Sequence, residues 1–315
     1  MSTRKVGIVG AGQIGGQLAM LIAERGLADV VLMEVPDREG LAAGKALDIM
    51  HATAVLGIDA DVRGTSRSED LAGSDAIVIT AGQPRRPGQS RDDLLRINLG
   101  IIQQVAVQIK AVCPKAFCVV VTNPLDAMVY AFQKVSGMPT HMVVGMAGVL
   151  DSGRFRGLVA WRLGLSVQDV SAMVLGGHGP TMVPLTDTCM VGGAPVRHLL
   201  PPDQIEDIVQ QTRTAGDQIV SLLGNGSAFF SPAASVLLML EAYLCDRRRV
   251  LPAAAYLDGQ YGCHGIYMGV PVVIGKGGVE RIVEIQLDTN QQAAFDRSVQ
   301  AVRQTITQVE AFLSR

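Results

Sequence analysis

The chain has 315 residues, 48% of them hydrophobic, and a formal net charge of −2, which is enough apolar material to fill two layered cores. That charge gives no basic bias toward nucleic acid or an anionic membrane, and no apolar run reaches the roughly 18 residues of a membrane span. Five scattered cysteines without a CxxC pair indicate neither a disulfide framework nor a zinc site. The expectations are reduced thiols, no metal and, because the N-terminus runs into a strand without a secretion signal, a cytoplasmic protein.

The apolar run KVGIV (5–9) reads as a buried strand and leads into Gly10-Ala11-Gly12-Gln13-Ile14-Gly15, the GxGxxG fingerprint of dinucleotide binding. Each glycine has a steric reason. Gly10 permits the tight turn, Gly12 lets the backbone approach a pyrophosphate, and Gly15 lets the next helix pack closely on the strand. That helix, from about Gln13 to Arg25, places Ile14, Leu18, Leu21 and Ile22 on one face and stops at Gly26; its positive N-terminus would face the phosphates. The second strand, Val30 to Met33, closes with Glu34, near the spacing of about 20 residues expected for a carboxylate on the adenosine ribose. A carboxylate there repels a 2′-phosphate, so NAD is expected over NADP.

Apolar runs at 76–80 and 117–121 bracket a helix expected from Ser90 or Arg91 to just before Pro114. Alternating strands and helices predict an α/β fold whose first half is a Rossmann-type doubly wound parallel sheet. Beyond about residue 145 the pattern changes to a helix around 152–163, short strands near 170–175 and 181–191, and two long helices between 203 and 246. Strands follow from 250 to about 284, and a C-terminal helix carries Phe295, Val299, Val302, Ile306, Val309 and Phe312 as one apolar stripe. The expected division is a cofactor-binding domain at 1–145 and an α+β catalytic domain at 146–315. With no linker between them, a shared cleft is the expected ligand site.

Within the second half, VLGGHGP (174–180) carries His178, and LDSGRF (150–155) carries Asp151 and Arg154. A near-neutral imidazole can exchange a proton with a hydroxyl or carbonyl oxygen while a carboxylate on its other nitrogen fixes the tautomer. Arg154, three residues beyond Asp151 on a helix, could grip a substrate carboxylate bidentately. Taken alone, Gly-Gly-His-Gly is more often only a turn that contains an imidazole; beside the dinucleotide fingerprint it points to hydride transfer at a 2-hydroxy acid. The loop AGQPRRPGQSR (81–91) follows the fourth strand and has the prolines, glycines and arginines of a closing lid. A surface basic loop is the alternative.

Taken together, GAGQIG, the lid segment AGQPRRPGQSRDDL, VTNPLD (121–126), LDSGRFR (150–156) and GGHGP (176–180) make the chain resemble the lactate/malate dehydrogenase family essentially end to end, most closely its lactate-dehydrogenase-like malate dehydrogenases. The resemblance implies reversible, NAD-dependent oxidation of (S)-malate to oxaloacetate. In that scheme His178 is the proton acceptor and donor, Asp151 its orienting partner, Arg154 the clamp on the C1 carboxylate, and Arg91 the group that polarises the carbonyl oxygen. Asn123 would contact that oxygen or the cofactor side. Gly10, Gly12, Gln13, Ile14, Gly15, Glu34, Asn98, Val121 and Asn123 would line the cofactor.

Arg85 stands where this family discriminates substrates, and an arginine there suits a distal carboxylate. A methyl group in its place would leave the guanidinium desolvated without a partner, so pyruvate is expected to be a poor substrate. Arg86 would support that field. Two positions depart from the family pattern: Glu34 replaces the usual aspartate, and Gln89 a frequent methionine in the lid. A homodimer or homotetramer is implied, with no nucleic-acid or membrane partner. The rival readings are another 2-ketoacid reductase, lactate dehydrogenase included, and a non-catalytic dinucleotide-sensing module.

Overall fold

Near-continuous apolar strands buried on both faces build the centre of the fold, as parallel sheets covered by helices require. The computed structural model describes residues 4–84, 91–224 and 226–314, without the side chain of Arg91. The first half runs β1 (Lys5–Val9), α1 (Gln13–Glu24), β2 (Asp29–Met33), α2 (Glu39–Leu56), β3 (Val62–Thr65), β4 (Ala76–Ile79), α3 (Arg91–Val112), β5 (Phe117–Val120), α4 (Leu125–Ser136) and β6 (Val143–Gly145). Every residue of β4 and β5 is buried. The six strands pair in parallel in the order β3-β2-β1-β4-β5-β6. Strand order reverses between β1 and β4, so the crevice beyond their carboxyl ends is the place for a ligand.

The second half continues with α5 (Gly148–Leu163) and five two-residue strands: β7 (Val170–Ser171), β8 (Val174–Leu175), β9 (Val183–Pro184), β10 (Met190–Val191) and β11 (Ala194–Pro195). After them come α6 (Pro202–Leu223), α7 (Phe230–Leu244), β12 (Arg249–Asp258), β13 (His264–Gly275), β14 (Gly278–Ile282) and α8 (Thr289–Leu313). Sequence reasoning treats the late strands as belonging to the second half. In the structure they extend the parallel sheet: β12 pairs antiparallel with β6 at Ala254 and Gly145, and β13 and β14 follow, making nine strands among the described residues. Small residues allow this junction, since a Cβ on Gly145 would stand 2.9 Å from that of Ala254.

Similar crowding explains why α5 begins four residues before the expected Ser152. Gly148 lies against Pro252 of β12, where a Cβ would come within 2.6 Å of the proline Cβ, so glycine lets the helix start on the sheet. A large core joins the sheet to α1, α3, α4, α7 and α8, and a smaller one, including Phe155, Val174, Met182 and Ile208, lies around α5 and α6. The α8 stripe is core as expected: Phe295, Val299, Val302, Ile306 and Val309 are buried, and Phe312 is partly so. Asp288 and Gln291 form a capping box that starts this helix. Among the described residues no helix is long and apolar enough to cross a membrane.

Candidate active site

At the carboxyl end of β1 the chain must turn within a few residues, and the glycines make this possible. Gly10 has φ of +110°, and a Cβ there would lie 2.7 Å from the Ala81 amide nitrogen. A Cβ on Gly15 would overlap the Gly10 carbonyl oxygen; bare glycine lets α1 rest on the turn. Gly12 is different, for a Cβ there would meet no atom within 4 Å, and its exposed backbone is open to approach. The first turn of α1 has neither an acidic residue nor a side-chain cap, leaving its positive end available to an anion.

Glu34 is drawn into this turn. Its Oε2 accepts from the Ala11 amide and its Oε1 from the Val35 amide, each at 3.1 Å. Each carboxylate oxygen can accept a second hydrogen bond, so capacity remains for ribose hydroxyls. Lys45 of α2, which sequence reasoning did not single out, donates to the Gly12 carbonyl at 2.7 Å. Burial and the nearby Arg38 lower its pKa, with Glu34 opposing. A lysine inside a helix outside any motif offers no sequence signal for such a contact.

Asn98 is 1% exposed and its amide is spent on backbone. Its Oδ1 accepts from Gln83 N at 2.8 Å, and its Nδ2 donates to Gln83 O at 3.2 Å and to Asn123 O at 2.6 Å. It therefore joins the loop after β4 to the loop after β5. Thr122 adds a hydrogen bond to the Ala81 carbonyl at 2.6 Å. Val121 is buried at the end of β5, Asn123 is exposed beside it, and at the start of α1 Gln13 is exposed and Ile14 half-buried. Arg85, Arg86 and Gln89 lie outside the described residues; Arg91 opens α3.

Asp151 and Arg154 stand on one face of α5, whose neighbour Ser152 accepts the Val174 amide at 2.8 Å and so ties the helix to β8. From β8 the chain enters Gly176-Gly177-His178, and three consecutive amides are held by three elements. Gly176 N donates to Gly269 O of β13 at 2.9 Å, Gly177 N to Ser298 Oγ of α8 at 2.9 Å, and His178 N to Asp126 Oδ2 of α4 at 2.9 Å. The imidazole then meets Asp151, with Nδ1 to Oδ2 at 2.8 Å, while Asp151 Oδ1 pairs with Arg154 Nη1 at 3.5 Å. The carboxylate is 2% exposed and the imidazole 15%.

An Nδ1–H donated to Asp151 leaves Nε2 as the basic nitrogen. Burial opposes the imidazolium, but attraction to Asp151, its hydrogen bond, and the charge of Asp126 together outweigh burial and the repulsion of Arg154, so the His178 pKa is raised. Burial lowers that of Arg154, with Asp151 opposing; a guanidinium nonetheless stays charged. Its Nε is buried without a hydrogen-bond partner among the described residues. A desolvated cation held by one long ion pair is suited to receiving an anion.

Residues 4–145 match the model of the lactate/malate dehydrogenase NAD-binding domain, and residues 148–313 that of the lactate/malate dehydrogenase α/β C-terminal domain. The chain belongs to the lactate/malate dehydrogenase family. It is an NAD-dependent oxidoreductase, and the open Gly12 turn, the uncapped α1 and Glu34 fit that cofactor. This family member is 52% identical to the malate dehydrogenase of Myxococcus xanthus, over 98% of each chain, and 53% identical to that of Xanthobacter autotrophicus, over 96% of this chain and 95% of the other.

Among solved structures, the malate dehydrogenase of Cryptosporidium parvum superposes with a TM-score of 0.96 at 42% identity, covering 98% of this chain and 100% of that one. The lactate dehydrogenase of the same organism, solved with lactic acid and nicotinamide adenine dinucleotide, gives 0.94 at 44% identity, over 98% and 99%. Overall likeness does not separate the two activities within the family. The pocket residues must do so.

Proposed function

We propose that this dehydrogenase interconverts (S)-malate and oxaloacetate, with His178 and Asp151 moving and holding the proton and arginines gripping the two carboxylates. The observation that carries the reading is the contact of half-buried His178 with buried Asp151 at 2.8 Å, with Arg154 on the same carboxylate. Gly10, Gly12, Gln13, Ile14, Gly15, Glu34, Val121 and Asn123 form the surface for NAD. Asn98 supports that surface through the two loops it joins. When bound there, NAD supplies the hydride acceptor for oxidation and, reduced, the donor for the reverse reaction.

In oxidation, His178 Nε2 takes the C2 hydroxyl proton, and the negative charge of Asp151 stabilises the imidazolium that results. In reduction, His178 must start protonated and returns the proton to the C2 oxygen. Arg154 holds the C1 carboxylate and Arg91 polarises the C2 oxygen. Arg85, backed by Arg86, pairs with the distal carboxylate, and closure of 81–91 excludes water so that these charges act at full strength. On this reading 1–145 holds the cofactor and lends the substrate Arg85, Arg86 and Arg91, and 146–315 supplies His178, Asp151 and Arg154.

Malate is favoured over lactate by Arg85 and by the names of the curated relatives at 50–53% identity. Lactate is the second reading, because of the likeness to the C. parvum lactate dehydrogenase. A dinucleotide-sensing module has no need of a His–Asp pair. All five cysteines are unpaired, as a reducing cytoplasm would keep them. A homodimer or homotetramer is the assembly that the family membership suggests. Sedimentation at micromolar concentration should find a dimer or tetramer; a monomer would count against that assembly.

The test of the chemistry is His178→Asn. Single-turnover oxidation of NADH by oxaloacetate should be lost while NADH binding, followed by its fluorescence, stays within about twofold, since a group acting only in the transition state leaves ground-state binding intact. Retained turnover would remove His178 from the reaction.

A further inference from the structure

The proton-transfer reading leaves one buried carboxylate unused. Asp126 lies in the first turn of α4 and is 9% exposed. Its Oδ2 accepts the His178 amide at 2.9 Å, while its Oδ1 is buried with no hydrogen-bond partner among the described residues. An acceptor for an amide need not be charged. The two preceding amides of the same loop are satisfied by neutral groups, the Gly269 carbonyl and the Ser298 hydroxyl. A buried carboxylate with one oxygen unpaired is a costly way to hold the third, so the charge itself calls for a function.

The surroundings of Asp126 indicate what that function is. Oδ2 is close enough that a Cβ on Gly177 would come within 3.2 Å of it, so the glycine admits the carboxylate against the loop. The charged groups acting on Asp126 are His178 and, from α5, Asp151. After Asp151, Asp126 is the other carboxylate whose charge favours the imidazolium. It also stands three residues beyond Asn123, so the amide it holds is tied to the end of the strand expected to border the cofactor.

We propose that Asp126 is a positioning residue for proton transfer at His178, fixing that residue's backbone to the start of α4 and placing a second buried negative charge behind the imidazolium. This rests on His178 being the proton donor and acceptor. Burial pushes the Asp126 carboxyl up to about 6, against the charge and amide of His178 and helped by Asp151. Its charge is therefore present at neutral pH.

The experiment uses the full chain with Asp126→Asn, Asp126→Ala and His178→Asn in parallel. It measures single-turnover NADH oxidation by oxaloacetate from pH 5 to 9, and NADH binding by fluorescence. Asp126→Asn keeps an acceptor and loses the charge: the alkaline limb of the reduction should move about one pH unit lower, with the rate near pH 5.5 close to wild type. Asp126→Ala also releases the amide and should lose about 10²-fold in rate at every pH, the cost of misplacing a catalytic group. NADH affinity should be unchanged in both.

An unmoved limb in Asp126→Asn overturns the electrostatic part, and unchanged turnover in Asp126→Ala overturns the clamp. Should Asp126→Ala fail to fold, the limb of Asp126→Asn decides alone. His178→Asn separates the two levels of inference. If it retains turnover the proton-donor reading fails, and this proposal with it; if it is inactive while the Asp126 variants behave as wild type, only the role of Asp126 falls.

Discussion

Replacing Asp151 with asparagine would remove the charge that lies 2.8 Å from His178 Nδ1 while nearly preserving side-chain shape. Asp151 is buried and His178 half-buried, at 2% and 15% side-chain exposure, so solvent screens the pair weakly. An opposite charge at such a distance moves a pKa by about 1–3 units, or about 1.4–4 kcal/mol of imidazolium stability. Reduction of oxaloacetate needs the imidazolium, and above its pKa each unit lost removes about tenfold of the protonated form. The Asp151→Asn rate should thus fall by about 10- to 10³-fold near pH 8 and by much less near pH 5.

A second effect comes from the same substitution. Asp151 Oδ1 is the ion-pair partner of Arg154 at 3.5 Å, so the guanidinium loses its tether and KM for oxaloacetate should rise. The assay is the pH dependence of single-turnover NADH oxidation, with KM measured beside it. A profile that superimposes on wild type, or a loss of equal size at every pH, would refute the argument, because a purely structural defect has no reason to follow the titration of an imidazole.

Three other outcomes follow from the same geometry. Gly15→Ala drives a methyl group into the Gly10 carbonyl, so α1 must shift; we expect a loss of about 1–3 kcal/mol in stability together with weaker NADH binding, measured by thermal denaturation and fluorescence titration. Glu34→Ala removes the carboxylate from the Ala11 amide and the repulsion of a 2′-phosphate, so the preference for NADH over NADPH in kcat/KM should fall by about tenfold or more, in line with the loss of one close charge; an unchanged ratio would contradict the ribose assignment.

The third outcome concerns stability against pH. Asp126 has its folded pKa raised from 3.8 to about 6, so its contribution is complete below the unfolded value near 4 and is lost as pH rises through about 6, up to about 3 kcal/mol. His178, also raised, acts in the same direction at somewhat higher pH. The Tm of Asp126→Asn relative to wild type should therefore rise between pH 4.5 and 8, and a flat difference would show that the carboxylate is not strained.

The parts of the site that were legible in the sequence are those governed by local constraints. Gly10 and Gly15 are needed where backbone meets backbone, and Asp151 and Arg154 share a helix face because they are three residues apart. The α8 stripe reads as core for the same periodic reason. Non-local contacts left no such mark. The pairing of Ala254 with Gly145, which carries the late strands onto the parallel sheet, depends on two small residues far apart in the chain. Gly148 reads as a poor helix former until Pro252 is packed against it.

Polar residues were hardest to read, because their partners are distant. Asn98 is expected among the cofactor residues, and the sequence gives no sign that its side chain also joins Gln83 to Asn123. Asp126 sits in VTNPLD, a segment recognisable for its asparagine. An acid in the first turn of a helix reads as an ordinary favourable charge there until the fold brings His178 onto it.

The central claim, a dehydrogenase for a 2-keto dicarboxylate, is tested most directly by initial rates of NADH oxidation with oxaloacetate and pyruvate in parallel, using NADPH as the cofactor control. Fast turnover of oxaloacetate, little with pyruvate and little with NADPH is the result the account predicts. Pyruvate reduced faster than oxaloacetate would contradict the role of Arg85, and no turnover with either would contradict the assignment of the site.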